Sequence, residues 1–235
     1  MKQIRLILVL GCLVSFVSIV HAEDKAPAGA EKAKKAKEPT AKEQKTSLNP
    51  VVKMVTNKGE ILVELNAKKA PITVANFLAY IKDGFYNDTV FHRIIKGFMV
   101  QGGGMTVDLQ KKKTKPPIKN ESYNKLRNKR GTIAMARTNA PDSATSQFFI
   151  NHVDNRTLDF DGPYKPGYAV FGKVTKGMEV VDAIAEIATK RVGPHGNVPV
   201  EQVVIKSVTL LDPKAEKADK KADTIKSAKK EKDNQ

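Results

Sequence analysis

The chain has 235 residues, a formal net charge of +16 at pH 7, no tryptophan and a single cysteine, Cys12. One cysteine cannot form an internal disulfide, so the stability of the chain must come from packing. Apart from an apolar run over 6–20, large apolar residues are concentrated between residues 49 and 211, whereas residues 23–48 and 212–235 are rich in lysine, alanine and acidic residues. We therefore expect one folded domain over 49–211.

Residues 1–22 predict a cleaved secretory signal peptide. Two basic residues precede an apolar run over 6–20, and the segment ends in the small-residue pattern Val-His-Ala. An uncleaved anchor is the weaker alternative, because the run of about 15 residues is shorter than the roughly 20 that span a bilayer. Lipidation at Cys12 is weaker still. We expect an exported chain with no stable membrane insertion after cleavage.

Residues 23–48 and 212–235 are predicted to be disordered tails. They contain almost no large apolar side chain, so they cannot bury enough surface to offset the entropy of ordering. Their lysines and acidic residues nearly balance, which leaves about +10 of the net charge on residues 49–211. That excess favours either solubility or anionic partners.

The central region begins with signals for a hairpin and a helix. Residues 51–65 form two apolar runs on either side of a turn signal at 57–59, which is typical of a β-hairpin. Pro71 then opens a segment whose apolar residues recur at helical spacing as far as Ile81.

Short apolar runs between turn residues follow the first predicted helix. They lie at 89–95, 98–101, 132–136, 147–151 and 169–174, with a closing strand over 200–211. A second helix is predicted over 178–187, where four apolar residues share a face. Many short strands with only two helices favour an all-β barrel or sandwich over a parallel α/β fold.

The sequence shows no hydrolase or metal signature. It has no Ser-His-Asp, Cys-His or paired-carboxylate pattern, and His92, His152 and His195 have no metal-ligand spacing. Glycines at 102–104 follow a short strand, but the Lys-Ser/Thr helix start of a phosphate loop does not come after them. We expect neither a metal nor a cofactor.

The segment 91–103, which reads FHRIIKGFMVQGG, places Arg93 among apolar neighbours. In a regular strand, alternation points Arg93 to the same face as Phe91 and Ile95. A basic side chain in such a strand usually extends to water, so by itself Arg93 is interpreted as a surface residue.

Three separated motifs resemble the cyclophilins. They are FHRIIKGFMVQGG, MARTNAPDSATSQFFIN at 135–151 and GYAVFGKV at 167–174, and the similarity runs in order over roughly 51–211. The resemblance implies a closed eight-stranded antiparallel barrel with a helix over each open end. It also implies a peptidyl-prolyl cis-trans isomerase for unfolded or partly folded exported proteins, most similar to the bacterial periplasmic subgroup, and we expect a monomer.

The same resemblance implies the site residues. Arg93 is the catalytic arginine, with Phe98 and Gln101 beside it. The substrate-binding positions that match the family motifs are Met99, Ala136, Arg137, Gln147, Phe149, Leu158 and Tyr168. Taken alone, Phe98, Phe149 and Leu158 are interpreted as barrel core.

The chemistry of X-Pro isomerisation suits these residue types. Rotation about the bond has a barrier of about 18–20 kcal/mol, because the nitrogen shares its lone pair with the carbonyl. In the twisted amide the nitrogen becomes pyramidal and accepts a hydrogen bond, which the charged guanidinium of Arg93 can donate. The apolar residues would hold the proline ring, while Gln101 and the Ala136 backbone hold the peptide.

Two positions depart from the family pattern. Thr157 stands where many eukaryotic members have a tryptophan, so we expect weak binding of the immunosuppressant cyclosporin without loss of catalysis. Arg137 stands where many relatives have asparagine, and it either alters peptide preference or adds a charge at the groove rim.

Two other classes of protein remain open: a proline-peptide binding module without turnover, and a chaperone that recruits acidic clients through its tails. The export signal and the nearly balanced tails argue against nucleic acid as a partner.

Overall fold

The computed structural model describes residues 49–211, so the predicted signal peptide and both predicted tails lie outside the described residues. The strands are β1 (Val51–Thr56), β2 (Gly59–Leu65), β3 (Thr89–Ile95), β4 (Met99–Gly102), β5 (Thr132–Met135), β6 (Phe148–Asn151), β7 (Val170–Lys176), β8 (Thr189–Val192), β9 (His195–Pro199) and β10 (Val204–Leu210). The helices are α1 (Pro71–Lys82) and α2 (Met178–Ala185).

Eight of these strands form a closed barrel in the order β1-β10-β3-β4-β6-β5-β7-β2. Each neighbouring pair is antiparallel, and β2 returns to pair with β1. Closure pairs both edges of the sheet, which removes the exposed strand edges of an open sheet. The predicted eight-stranded antiparallel barrel is confirmed.

The first hairpin shows how the sequence pattern fills the barrel. Alternate residues of β1 are buried, and Val52 and Met54 lie opposite Val63 and Ile61 of β2 in the main core. Gly59 adopts a φ of +136° at the turn, and a Cβ there would lie 2.7 Å from Val180 of α2. The hairpin therefore requires glycine at the turn that the sequence predicted.

The two helices pack their apolar faces against the same core. In α1, Phe77 is fully buried, with its ring 5.6 Å from that of Phe148 in an edge-to-face contact. The helix begins at Pro71 as predicted, and α2 ends at Ala185, two residues before the predicted end. Within residues 49–211, neither helix is long and apolar enough to cross a bilayer.

A buried carboxylate completes the start of α1. Glu121 accepts hydrogen bonds from the amide of Thr73 at 2.8 Å, from the hydroxyl of Thr73 at 2.7 Å and from the amide of Ile72 at 3.2 Å. These amides have no partner within the helix, and the negative charge suits the positive end of the helix dipole. Glu121 thereby ties the loop before β5 to α1.

The small hairpin of β8 and β9 is not predicted by the sequence. It forms a separate two-stranded sheet, and β9 packs against β3 of the barrel. All four residues of β8 are exposed, so this strand lacks the alternation of apolar and polar residues that identifies strands in a sequence.

Candidate active site

A β-bulge in β3 sets the direction of Arg93. The register of β3 against β4 shifts between Phe91 and Arg93. As a result, Phe91 and Ile94 both join the main core, while Arg93 and Ile95 lie on the outer face. The expectation that Phe91 shares a face with Arg93 is therefore wrong, because the extra residue of a bulge interrupts the two-residue alternation.

Arg93 is held by a short chain of hydrogen bonds. It lies opposite Gln101 across β3 and β4, and its Nη1 donates to Oε1 of Gln101 at 3.3 Å and approaches the sulfur of Met99 at 3.9 Å. Nε2 of Gln101 donates in turn to Oε1 of Gln147 at 3.0 Å. A guanidinium has five N–H donors, and the part of the chain that the structure describes supplies no other side-chain bond to Arg93. Several donors therefore remain for a ligand.

A second apolar cluster, which we call the outer cluster, lies beside Arg93 and apart from the main core. Its buried members are Met99, Ala134, Phe149 and Val170, and its partly buried members are Ile95, Phe98, Leu126, Ala136, Leu158 and Tyr168. The strand neighbours Val100 and Ile150 belong to the main core instead. Alternation thus places the outer cluster on the outside of the barrel.

The predicted site residues Phe98, Met99, Phe149, Leu158 and Tyr168 all belong to the outer cluster. The alternative that Phe98, Phe149 and Leu158 fill the barrel is wrong, since none of the three is part of the main core. An apolar surface of this kind can hold a ring. The free donors of the neighbouring Arg93 can then donate to an atom attached to that ring.

Three buried asparagines support this surface from below, and sequence reasoning did not identify them. Asn155 donates to the carbonyl of Phe98 at 2.8 Å and to Oδ1 of Asn151 at 2.7 Å. Asn151 donates to Oδ1 of Asn128 at 3.2 Å, and Asn128 donates to the carbonyl of Leu158 at 3.1 Å. This chain joins the two turns that carry Phe98 and Leu158, which lie far apart in sequence.

Arg137 is anchored at the edge of the outer cluster. Its Nε donates to the carbonyl of Gly167 and its Nη1 to that of Thr138, both at 2.9 Å. The guanidinium lies 4.5 Å from the ring centroid of Tyr168, and that ring meets Phe149 edge-to-face at 5.7 Å. Arg137 therefore fastens Tyr168 against the outer cluster.

A groove of about 600 Å³ continues past Arg93, and it meets the outer cluster at Ala136. Gln101, Ala136 and Gln147 line it. The amide of Ala136 donates to the carbonyl of Gln147 at 2.9 Å, so its carbonyl is the group left for a peptide. A Cβ at Gly104 would lie 2.4 Å from Gln147, so this glycine makes room for Gln147 rather than for a phosphate.

The groove also contains residues that the sequence did not single out for a site. They are Lys111, Lys112, Thr145 and, from the β8–β9 hairpin, His195. Thr145 lies within the motif at 135–151, whereas the lysines and His195 gave only a lysine-rich loop and an isolated histidine, both of which are usually surface features. Among residues 49–211, no group of three or more His, Cys, Asp or Glu side chains is placed to hold a metal ion.

The comparisons with known proteins agree with this geometry. The family model described as cyclophilin type peptidyl-prolyl cis-trans isomerase/CLD matches residues 51–210. The chain is 56% identical over 160 residues to peptidyl-prolyl cis-trans isomerase A of Dickeya dadantii, which covers 68% of this chain and 84% of that protein. It is 55% identical over 159 residues to peptidyl-prolyl cis-trans isomerase B of Escherichia coli, which covers 67% of this chain and 97% of that protein.

A solved structure gives the same result for the fold. The crystal structure of a cyclophilin type peptidyl-prolyl cis-trans isomerase from Cryptosporidium parvum superposes with a TM-score of 0.59 at 27% sequence identity, covering 70% of this chain and 98% of that one. The matched region coincides with the barrel and includes every strand that carries the outer cluster and Arg93. The chain therefore belongs to the cyclophilin-type peptidyl-prolyl cis-trans isomerase family, whose members act on proline-containing peptides.

Proposed function

We propose that this isomerase uses Arg93 as its catalytic hydrogen-bond donor and that it accelerates X-Pro isomerisation in exported proteins as they fold. The observation that supports this most strongly is the setting of the Arg93 guanidinium. It is oriented by a neutral acceptor, Gln101, it borders the outer cluster, and it has donors without a protein partner among the described residues.

The outer cluster suits the proline ring. Phe98, Met99, Phe149 and Leu158 offer apolar surface, and Tyr168 closes its edge. With the ring held there, the carbonyl on the other side of the X-Pro bond is the part that rotates. Arg93 then donates to the prolyl nitrogen as its lone pair leaves conjugation.

The neutrality of Gln101 is important for this step. An amide oxygen orients the guanidinium without cancelling its charge, whereas a carboxylate would pair with it and compete with the prolyl nitrogen. Because the bond to the prolyl nitrogen forms only when the amide is twisted, it stabilises the transition state more than either ground state. Gln147 and the carbonyl of Ala136 would hold the peptide along the groove.

Export and a periplasmic location are supported by the pattern of residues 1–22. Its basic start, its short apolar run and its small-residue end are typical of a signal peptide. The closed barrel, which has no free strand edge, supports a monomer.

Refolding of an exported protein whose slow phase is limited by proline isomerisation tests the proposal. We expect the mature chain to accelerate the slow phase and Arg93→Ala to leave it near the uncatalysed rate. Fractionation of cells that produce the full chain should recover it in the periplasm.

The same assay separates the proposal from the alternatives. If wild type and Arg93→Ala raise the refolding yield equally and neither accelerates the slow phase, the chain is instead a chaperone or a binding module. Recovery of the chain in the cytoplasmic fraction would contradict the proposed location.

A further inference from the structure

The groove beyond Arg93 has an unbalanced charge. Its lining, all of it within residues 49–211, includes no aspartate or glutamate. The cationic side chains of the lining are Arg93, Lys111, Lys112 and Arg137. We call this region the basic groove.

The polar partners of these cations are neutral. Arg93 donates to the Gln101 amide, and Arg137 donates to backbone carbonyls. Lys112 donates to the carbonyls of Phe85 and Asn87. Neutral acceptors orient a cation but leave its charge uncompensated.

Lys111 differs from the other cations of the basic groove. It is exposed, and its side chain makes no hydrogen bond or ion pair with any residue between 49 and 211. Lys112, its neighbour, is committed to backbone carbonyls and to the ring of Phe85 at 4.8 Å. Lys111 is therefore the cation of the groove that can turn towards a ligand.

Carboxylates near the groove along the chain do not line it; Asp108, three residues before Lys111, is exposed and lines a neighbouring pocket instead. Asp142, in the loop 138–145, accepts a hydrogen bond from the amide of Asn120 at 2.8 Å. Asp83 pairs with Lys115 at 2.6 Å, and Glu121 accepts from the start of α1. None of these acids lines the basic groove.

We propose that the basic groove selects X-Pro segments with an aspartate or glutamate close to the proline, and that Lys111 determines this preference. The proposal rests on the proposed function, because it concerns the peptide whose proline lies in the outer cluster. A cleft lined by charges of one sign concentrates the field and attracts the opposite charge. Since Lys111 is exposed, the effect is modest, and we expect about a two- to fivefold preference.

A set of matched peptides tests this proposal. Each peptide carries Gln, Glu or Lys at one of the three positions before the proline or the two after it. Exchange between cis and trans is measured by NMR, which avoids a coupling protease with charge preferences of its own. We expect Glu to exceed Gln in kcat/KM, through KM, at one position or more, and Lys to fall below Gln there.

Two variants and added salt provide the controls. Lys111→Gln should remove the preference for Glu over Gln. Lys176→Gln makes the same change of charge at an exposed position on β7 outside the groove, and it should keep the preference. Salt at about 0.5 M should weaken the preference in the wild type, because it screens exposed charges.

Two results would overturn the inference: equal kcat/KM for Glu and Gln at all five positions, or a preference that survives Lys111→Gln. Neither result bears on the proposed function, since the Gln peptides report isomerisation itself. Failure of the wild type to accelerate those neutral peptides would contradict the proposed function instead.

Discussion

Gln101 faces Arg93 across β3 and β4, accepting from its Nη1 at 3.3 Å while donating to Gln147 at 3.0 Å. A side chain in this position aims the guanidinium. We therefore expect Gln101 to act through orientation, which affects the chemical step more than peptide binding.

We predict that Gln101→Leu lowers kcat by about tenfold, the value of one hydrogen bond to a charged group, and changes KM less. The reason is that the outer cluster keeps its surface while Arg93 loses its acceptor. Steady-state kinetics over a range of peptide concentrations separates the two constants. An unchanged kcat in a folded variant would show that Arg93 needs no alignment by Gln101.

Arg137→Ala should weaken peptide binding. The change removes the contact of the guanidinium with Tyr168 at 4.5 Å and the bond to the carbonyl of Gly167. We expect KM to rise about two- to fivefold, because a cation-π contact at a partly exposed site is worth about 0.5–1 kcal/mol. Tyr168→Phe is the matched control, since it retains the ring, and its KM should stay close to that of the wild type.

Much of the fold could be predicted from local patterns. Alternation in 51–65, the proline at the start of α1 and the spacing of 178–187 each depend on neighbours in sequence, and the hairpin and both helices form where expected. The β8–β9 hairpin was missed because every residue of β8 is exposed and the strand shows no alternation of apolar and polar residues. Its position is set by packing against β3, which no local pattern reports.

The site was predictable only in part. Family motifs pointed to Arg93 and the outer cluster, yet the bulge that turns Arg93 outward reverses the face assigned to Phe91. The link from Asn155 to Phe98 joins turns that are distant in sequence. Lys111 gave no signal beyond a lysine-rich loop, because its place in the basic groove depends on the closed barrel.

The effect of the missing tryptophan on cyclosporin binding can be tested by introducing a tryptophan at position 157. Thr157 is exposed in the 3₁₀ turn 156–158, beside Leu158 of the outer cluster. We predict weak cyclosporin binding by the wild type and binding tighter by about tenfold in Thr157→Trp, because the indole adds stacking area and a donor. The fluorescence of the new tryptophan, the only one in the chain, reports the titration. Tight binding by the wild type would contradict the prediction.

His92 makes stability depend on pH. It is 6% exposed, and within residues 49–211 its Nδ1 has no hydrogen-bond partner. The pKa of His92 is lowered from 6.5 to about 4, chiefly by burial. A backbone hydrogen bond to Val90 raises this pKa, whereas the nearby His195 and Arg93 lower it. The folded state therefore resists protonation of this ring.

The unfolded chain has the ordinary histidine pKa of 6.5, and the folded chain has a pKa of about 4 at His92. Above pH 6.5 both states are neutral, and between pH 6.5 and about 4 only the unfolded state binds the proton. We predict that the free energy of unfolding falls by roughly 3 kcal/mol over that interval and that this contribution levels off below it. Urea unfolding at several pH values measures it, and His92→Leu should flatten the profile. The same slope in that variant would assign the effect to other groups.

The role of Arg93 is tested most directly by the cis-to-trans exchange rate of a neutral X-Pro peptide with wild type, Arg93→Ala and Arg93→Lys. Circular dichroism and thermal unfolding first establish that all three chains fold alike. We predict strong acceleration by the wild type and a loss of at least about tenfold in both variants, since lysine keeps the charge but not the planar fork that Gln101 aligns. A folded Arg93→Ala chain with the wild-type rate would contradict the account.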